Sequence, residues 1–227
     1  MVEIASYGPW AVVTGASSGI GKAFADQLAA AGLNLVLAAR STGKLDALGQ
    51  ALADSHGVSY RVVTVDLSDP AGAMALLAAT DDLDIGLLVS NAGSGHPGPL
   101  LHQPLDDLHR RFTLNAVTHL DLVHTFASRF VARGRGGIVL LPGSVDTPII
   151  DALGLRGAAR PIRPQPAEAA VRETVTAFLK HRPLHIPGRL MRIMTRLTPR
   201  SLSVRMNGRM LGQAARNLAQ RQAAAPG

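Results

Sequence analysis

Cysteine does not occur in this 227-residue chain. Its absence excludes disulfides, thiolate metal sites and a cysteine nucleophile, and it agrees with a reducing compartment, so a cytoplasmic location is expected. Aromatic residues are scarce at 4%, which leaves little for a base-stacking surface. Apolar runs such as Leu35–Ala39 and Ile85–Val89 fall far short of the roughly 18 residues that cross a bilayer, and a soluble chain is expected. The first residues, with Glu3 and Pro9, lack the basic start and apolar centre of a signal peptide, so no export is expected. Acidic residues are missing from residues 174–227, which hold Lys180 and nine arginines; residues 1–173 hold 13 basic and 16 acidic residues. The net charge of +7 therefore belongs to the tail, whose only aromatic is Phe178. Basic charge without interleaved aromatics predicts no nucleic-acid partner.

What the chain has is apolar material for one well-packed core, with 47% hydrophobic residues and a mean hydropathy of +0.17. That material is distributed as strand and helix in alternation. Trp10–Thr14 is a short strand, Ile20–Ala31 a helix stopped by Gly32, and Asn34–Ala39 a second strand. Ser41 is placed to cap a helix running to about His56, ended by Gly57. Val58–Val65 is the third strand, Asp69-Pro70 opens a helix through Ala79, and Ile85–Ser90 is a fourth strand with the continuous apolar character of a strand covered on both faces. A long helix is expected from Pro104 to about Val131, with Asp106 and Asp107 complementing its dipole at the start. Ile138–Leu141 is a fifth strand, Ala167–Lys180 a helix and Leu184–Ile186 a short strand candidate. Strict alternation predicts a parallel α/β sheet.

Between the first strand and first helix stands Thr14-Gly15-Ala16-Ser17-Ser18-Gly19-Ile20-Gly21. Glycines there allow positive φ and close backbone approach, and the helix N-terminus beyond them offers free N–H groups and partial positive charge to a pyrophosphate. Dinucleotide sites selective for NAD place an acid about 20 residues on, at the end of the second strand. Here that end is Ala38-Ala39-Arg40. An arginine would meet a 2′-phosphate with a charge-assisted pair, which favours NADP while leaving NAD possible; the plain alternative is a solvated strand-end residue.

These residues resemble the short-chain dehydrogenase/reductase family, and the likeness covers most of residues 8–150. It implies an α/β, Rossmann-like doubly wound parallel sheet, and an NADP(H)-binding protein whose family reaction transfers hydride between NADPH and a small carbonyl or alcohol substrate. By that resemblance Gly15, Ser17, Ser18, Gly19, Ile20 and Gly21 hold the cofactor, and Asp66 and Leu67 frame its adenine. Asn91, Ala92 and Gly93 end the fourth strand beside it. Asn115 matches the helix asparagine that holds a proton-relay water, although a helix-to-strand contact accounts for it equally. Pro142–Pro148 matches the PGxVxTP loop, whose threonine, here Thr147, meets the carboxamide end of the nicotinamide.

The family reaction also needs a serine and a Tyr-x-x-x-Lys, whose spacing puts both groups on one helix face so that the ammonium lowers the phenol's pKa. The only tyrosines are Tyr7 and Tyr60, followed four residues later by Ala11 and Thr64, and the only lysines are Lys22, Lys44 and Lys180. Ile138–Leu141 matches the start of the family's fifth strand and Pro142-Gly143 the loop after its sixth, so roughly 40 to 50 residues of pattern are missing, enough for a strand, a crossover helix and a returning strand. An internal deletion is the expectation. It would leave a single domain truncated in its second half, with impaired or no catalysis. Besides an oxidoreductase, the alternative is a non-catalytic nucleotide-binding remnant or regulatory protein. A homo-oligomer is possible, with the helix that packs the family's dimers missing.

No replacement acid is evident. His96, His102, His109, His119 and His124 lie between the fourth and fifth strands without a partner at defensible spacing, so solvated or loop positions are expected, and no metal site. Asp106 and Asp107 are adjacent and point about 100° apart on a helix, unlike paired catalytic carboxylates. In the tail, Leu190, Ile193, Met194 and Leu197 form an apolar stripe beside Arg189, Arg192 and Arg196. That basic amphipathic helix, ended by Pro199, can lie on an anionic membrane surface or pack over the cleft or a second subunit. The expected organisation is a Rossmann-like domain over residues 1–188 and a basic helical extension over residues 189–227.

Overall fold

The computed structural model describes residues 4–96, 100–141 and 165–179, together with the single positions 188, 193, 209, 212 and 216. Five strands, β1 (Trp10–Thr14), β2 (Asn34–Ala39), β3 (Tyr60–Thr64), β4 (Ile85–Val89) and β5 (Ile138–Leu140), form one sheet in the order β3-β2-β1-β4-β5. Every pairing is parallel. Side chains alternate across a strand, so each strand serves two cores. Ala11 and Val13, Leu35 and Leu37, and Leu87 and Val89 enter one. Val12, Val36, Ala38, Ile85 and Leu88 enter the other. Burial on both faces is the physical reason these runs are continuously apolar.

Helices α1 (Gly19–Ala30), α2 (Thr42–His56) and α6 (Ala167–Leu179) cover the first face; α3 (Gly72–Ala78), α4 (Leu105–Phe112) and α5 (Thr118–Ala132) lie between the strands that border the second. Helix α1 buries Phe24 and Leu28 under the sheet, and α5 buries Leu122, Phe126 and Phe130 against the opposite side. Each such side chain contributes roughly 1.5–3 kcal/mol when fully removed from water. Helix α6 returns to α1: Ala167, Ala170 and Val171 join that core, and Gln27 Nε2 donates to the Glu168 carbonyl at 3.0 Å. The architecture is the expected doubly wound parallel α/β fold.

Local differences from the sequence expectations have local causes. Helix α3 starts at Gly72 because Asp69 makes a turn of its own, its carboxylate accepting the Ala71 N–H at 2.8 Å while its N–H bonds the Asp66 carbonyl. Ser41 occupies the N-cap of α2, but its hydroxyl makes no capping bond; only its carbonyl is used, by the N–H groups of Lys44 and Leu45. The long helix expected from Pro104 is interrupted by a π-helical turn, Thr113–Val117. The candidate strand Leu184–Ile186, the loop with Thr147, and most of residues 189–227 lie outside the described residues.

Candidate functional site

The strand order places its reversal between β1 and β4, which are neighbours although β2 and β3 intervene in sequence. In an open α/β sheet the crevice at the carboxyl ends of two such strands is where ligands bind. The residues at that edge are held in place by one buried hydroxyl. Thr14, 1% exposed at the end of β1, donates through Oγ1 to the Val89 carbonyl at 3.3 Å and accepts the N–H groups of Asn91 at 2.8 Å and Ala92 at 3.0 Å. Asn91 returns a bond from Nδ2 to the Thr14 carbonyl at 3.0 Å. One donor and two acceptor positions exhaust a hydroxyl, so Thr14 is fully committed to joining the two strand ends.

The glycine turn sits directly on this junction. Gly15 has φ +66° and Gly19 φ +55°, conformations that side chains disfavour. A Cβ on Gly15 would stand 2.9 Å from Asn91 Nδ2, and one on Gly21 would overlap the Gly15 carbonyl oxygen and lie 2.7 Å from the same amide nitrogen. The turn is therefore drawn tight against β4. Ser18, extended at the N-cap of α1, makes no side-chain cap bond, and the first intrahelical donor is Lys22, bonded to the Ser18 carbonyl. The N–H groups of Ser18, Gly19, Ile20 and Gly21 thus open the helix without intrahelical partners. Ser17, Gly19 and Ile20 are half-buried around them. This arrangement has the free donors and the backbone access that a pyrophosphate requires.

Along the edge, Arg40 follows β2 and is exposed. Asp66, after β3, is half-buried; Leu67 is buried at 4% and packs in the core, so only its backbone faces the edge, its carbonyl accepting Thr118 Oγ1 at 2.7 Å. The Asp66 carboxyl is held below the usual carboxylate range, chiefly by the Ser68 hydroxyl, with the charges of Arg110 and Arg40 adding to the effect against a burial penalty. On the π-helical turn, Asn115 Oδ1 accepts the Ser94 N–H at 3.0 Å and Nδ2 donates to the Ser94 carbonyl at 2.7 Å. The contact runs from helix to loop rather than from helix to strand, and it clamps the residue that follows Asn91-Ala92-Gly93. A π-turn commonly marks a functional position in a helix, and here it carries Asn115, which grips that loop.

Sequence reasoning missed three contributors. The sequence marks Thr14 as a strand end and the first residue of the glycine motif but not as the joint between two strands, Arg110 only as part of a helix, and His119 as a solvated or loop histidine. His119 is half-buried on α5, with Nδ1 2.6 Å from Oγ of Ser90, itself 2% exposed at the end of β4. Burial lowers the imidazole's pKa, partly opposed by a bond to the Ala92 carbonyl. The one signal available was spacing: His119 stands four residues after Asn115 and so shares its helix face. His96, His102, His109 and His124 are exposed as expected. Asp106 and Asp107 stand in the first turn of α4.

The family model described as short chain dehydrogenase matches residues 9–146. The chain is 34% identical over 133 residues to 7beta-hydroxysteroid dehydrogenase of Collinsella aerofaciens, covering 59% of this chain and 51% of that protein. It is 36% identical over 141 residues to the human inactive hydroxysteroid dehydrogenase-like protein 1, covering 61% of this chain and 43% of that one. The chain thus spans about half the length of these curated relatives. Among solved structures, a short-chain dehydrogenase from Sphingobium yanoikuyae in complex with NADPH superposes with a TM-score of 0.70 at 27% identity, over 78% of this chain and 89% of that one. The matched region runs from the start of β1 past the end of β5 and takes in the glycine turn, the β1–β4 junction and the Asn115 clamp, and on that match the chain belongs to the short chain dehydrogenase family.

Proposed function

We propose that this chain binds NADP(H) across the carboxyl edge of β1 and β4, and that it catalyses little or no hydride transfer as it stands. The observation that carries the first half is the tight Gly15–Gly21 turn, whose free first-turn N–H groups and clearance for close backbone approach suit a pyrophosphate. Arg40, exposed beyond β2, would meet the 2′-phosphate; Asp66 and the Leu67 backbone would frame the adenine; Asn91, Ala92 and Gly93 would flank the nicotinamide half, with Thr147 at its carboxamide. NADPH in the Sphingobium yanoikuyae relative supports this choice of cofactor. The test is titration by nucleotide fluorescence. NADPH should bind more tightly than NADH by about 1.5–3 kcal/mol, or about ten- to a hundredfold, and Arg40→Asp should narrow or reverse the preference. Equal affinities in the unmutated protein would refute it.

When bound, the cofactor would exchange hydride with the substrate, NADPH giving it to a carbonyl or NADP+ taking it from an alcohol; in the reducing direction the substrate oxygen must also gain a proton. This chain's residues must then position the acceptor and deliver a proton. Asn115 keeps one amide hydrogen and one acceptor position beyond its Ser94 bonds, enough to hold a water. The sequence holds no Tyr-x-x-x-Lys to use that water. General acid–base help is typically worth about 10²–10⁴-fold, and lost substrate orientation several further kcal/mol. An internal deletion between Leu141 and Pro142 would account for both losses. Inserting a family-derived strand–helix–strand with Ser and Tyr-x-x-x-Lys at that junction should restore turnover on a panel of ketones and aldehydes. Robust turnover without the insertion would sink the reading.

The same reading assigns residues 1–188 to the nucleotide-binding domain and 189–227 to a basic extension, in which Ile193, Arg209, Gly212 and Arg216 are helical and Ile193 is exposed. An anionic membrane surface or a second subunit suits such a helix. Leu105, Phe112 and Leu120, each more than 60% exposed along α4 and α5, support a homo-oligomer as well.

A further inference from the structure

The loop after β3 is tied to the helix across the sheet edge by a side chain that the nucleotide-site reading does not use. Arg110, on α4, donates through Nη2 to Asp66 Oδ2 at 2.7 Å and to Ser68 Oγ at 2.8 Å. Ser68 in turn fills the other carboxylate oxygen twice, its N–H reaching Asp66 Oδ1 at 2.9 Å and its hydroxyl at 2.7 Å. An ionised carboxylate offers about four acceptor positions, two on each oxygen. Among the described residues three are taken, both on Oδ1 and one on Oδ2. The free position is the second lone pair of Oδ2, and its direction is set by where Arg110 holds that oxygen. The backbone beneath cannot drift, because Gly72 packs directly on the Asp66 carbonyl and Thr118 holds the Leu67 carbonyl.

We propose that Arg110 is a positioning residue for base recognition: by fixing Asp66 with one acceptor position open, it makes the site select a purine with a 6-amino donor over one with a 6-oxo acceptor. The proposal rests on the nucleotide site described above. An amine completes the carboxylate's fourth bond, whereas a carbonyl in the same place sets two acceptors against each other. Without the guanidinium Oδ2 has two open positions shared with water, and only the Ser68 bonds on Oδ1 remain to set the direction of the carboxylate. The side chains of Arg110 and Asp66 are 52% and 37% exposed, so removing the guanidinium should leave the fold intact.

The test compares NADPH with its deamino analogue, which carries hypoxanthine in place of adenine, by nucleotide fluorescence, with thermal melting to verify folding. In the unmutated protein NADPH should bind about tenfold more tightly, the difference made by roughly one charge-assisted hydrogen bond. Arg110→Met should bring that ratio to within about twofold by weakening NADPH binding, and Arg110→Lys should recover part of it. Arg110→Gln is the second probe and should resemble Met. A wild-type ratio retained in Met and Gln, or no preference in the unmutated chain, overturns the role of Arg110. No binding of either nucleotide by the unmutated chain overturns the site itself.

Discussion

Replacing Thr14 by valine isolates the junction on which the site is built. Valine is nearly isosteric with threonine, so packing in the 1% exposed pocket is preserved and only the hydroxyl is lost. Three bonds go with it: the donation to Val89, and the acceptance of the Asn91 and Ala92 N–H groups. The two stranded N–H groups decide the magnitude. A fully buried unsatisfied donor costs about 1–3 kcal/mol. Asn91 and Ala92 are half-buried and some water can reach them, so the pair should cost about 2–3 kcal/mol together. For a chain of this size that corresponds to a melting temperature lower by about 4–12 °C. Asn91 and Ala92 would also be freed to move, so NADPH affinity should fall with stability. Thr14→Ser keeps the hydroxyl and loses a methyl group, and should retain NADPH binding with a loss of about 1 kcal/mol. Urea unfolding and NADPH titration of the two variants give the answer. A valine variant within about 0.5 kcal/mol of the unmutated protein, or a serine variant equally damaged, would refute the reasoning.

Gly21→Ala should destabilise the chain by about 1–3 kcal/mol and abolish measurable NADPH binding, because the added methyl overlaps the Gly15 carbonyl; a crystal structure or titration showing an intact site would contradict this. The lowered pKa of His119 makes stability depend on pH with a definite sign. The unfolded chain takes up this proton more readily than the folded one, so the contribution is whole above the ordinary value of 6.5 and is lost as pH falls from there through the folded value. Urea midpoints between pH 5 and 8 should therefore fall more steeply for the unmutated protein than for His119→Gln, and parallel curves would exclude the effect. If residues 189–227 form a membrane-surface helix, the protein should sediment with anionic vesicles and be released by salt; binding that survives removal of the segment would assign it elsewhere.

The sequence by itself determined the elements that rest on local chemistry. Apolar runs buried on both faces identify β1, β2 and β4 without reference to neighbours, and the glycine turn announces itself because only glycine tolerates those backbone angles. Arg40 is singled out by its place at the end of the second strand, about 20 residues past the glycines, whereas Asp66 is singled out only by the family resemblance. The tertiary structure alone decided what those groups touch. Thr14 meets Asn91 across 77 residues, Arg110 meets Asp66 across 44, and Ser90 meets His119 across 29. Each pairing depends on the strand order and on the helix that crosses the sheet edge, which are set by how two apolar faces close over one sheet. The π-helical turn was equally illegible, since Thr113–Val117 carries nothing in composition that separates it from the helices on either side. Side-chain periodicity reports which face a residue occupies; the partner on that face is chosen by packing, where residues far apart in the chain compete for the same few ångströms.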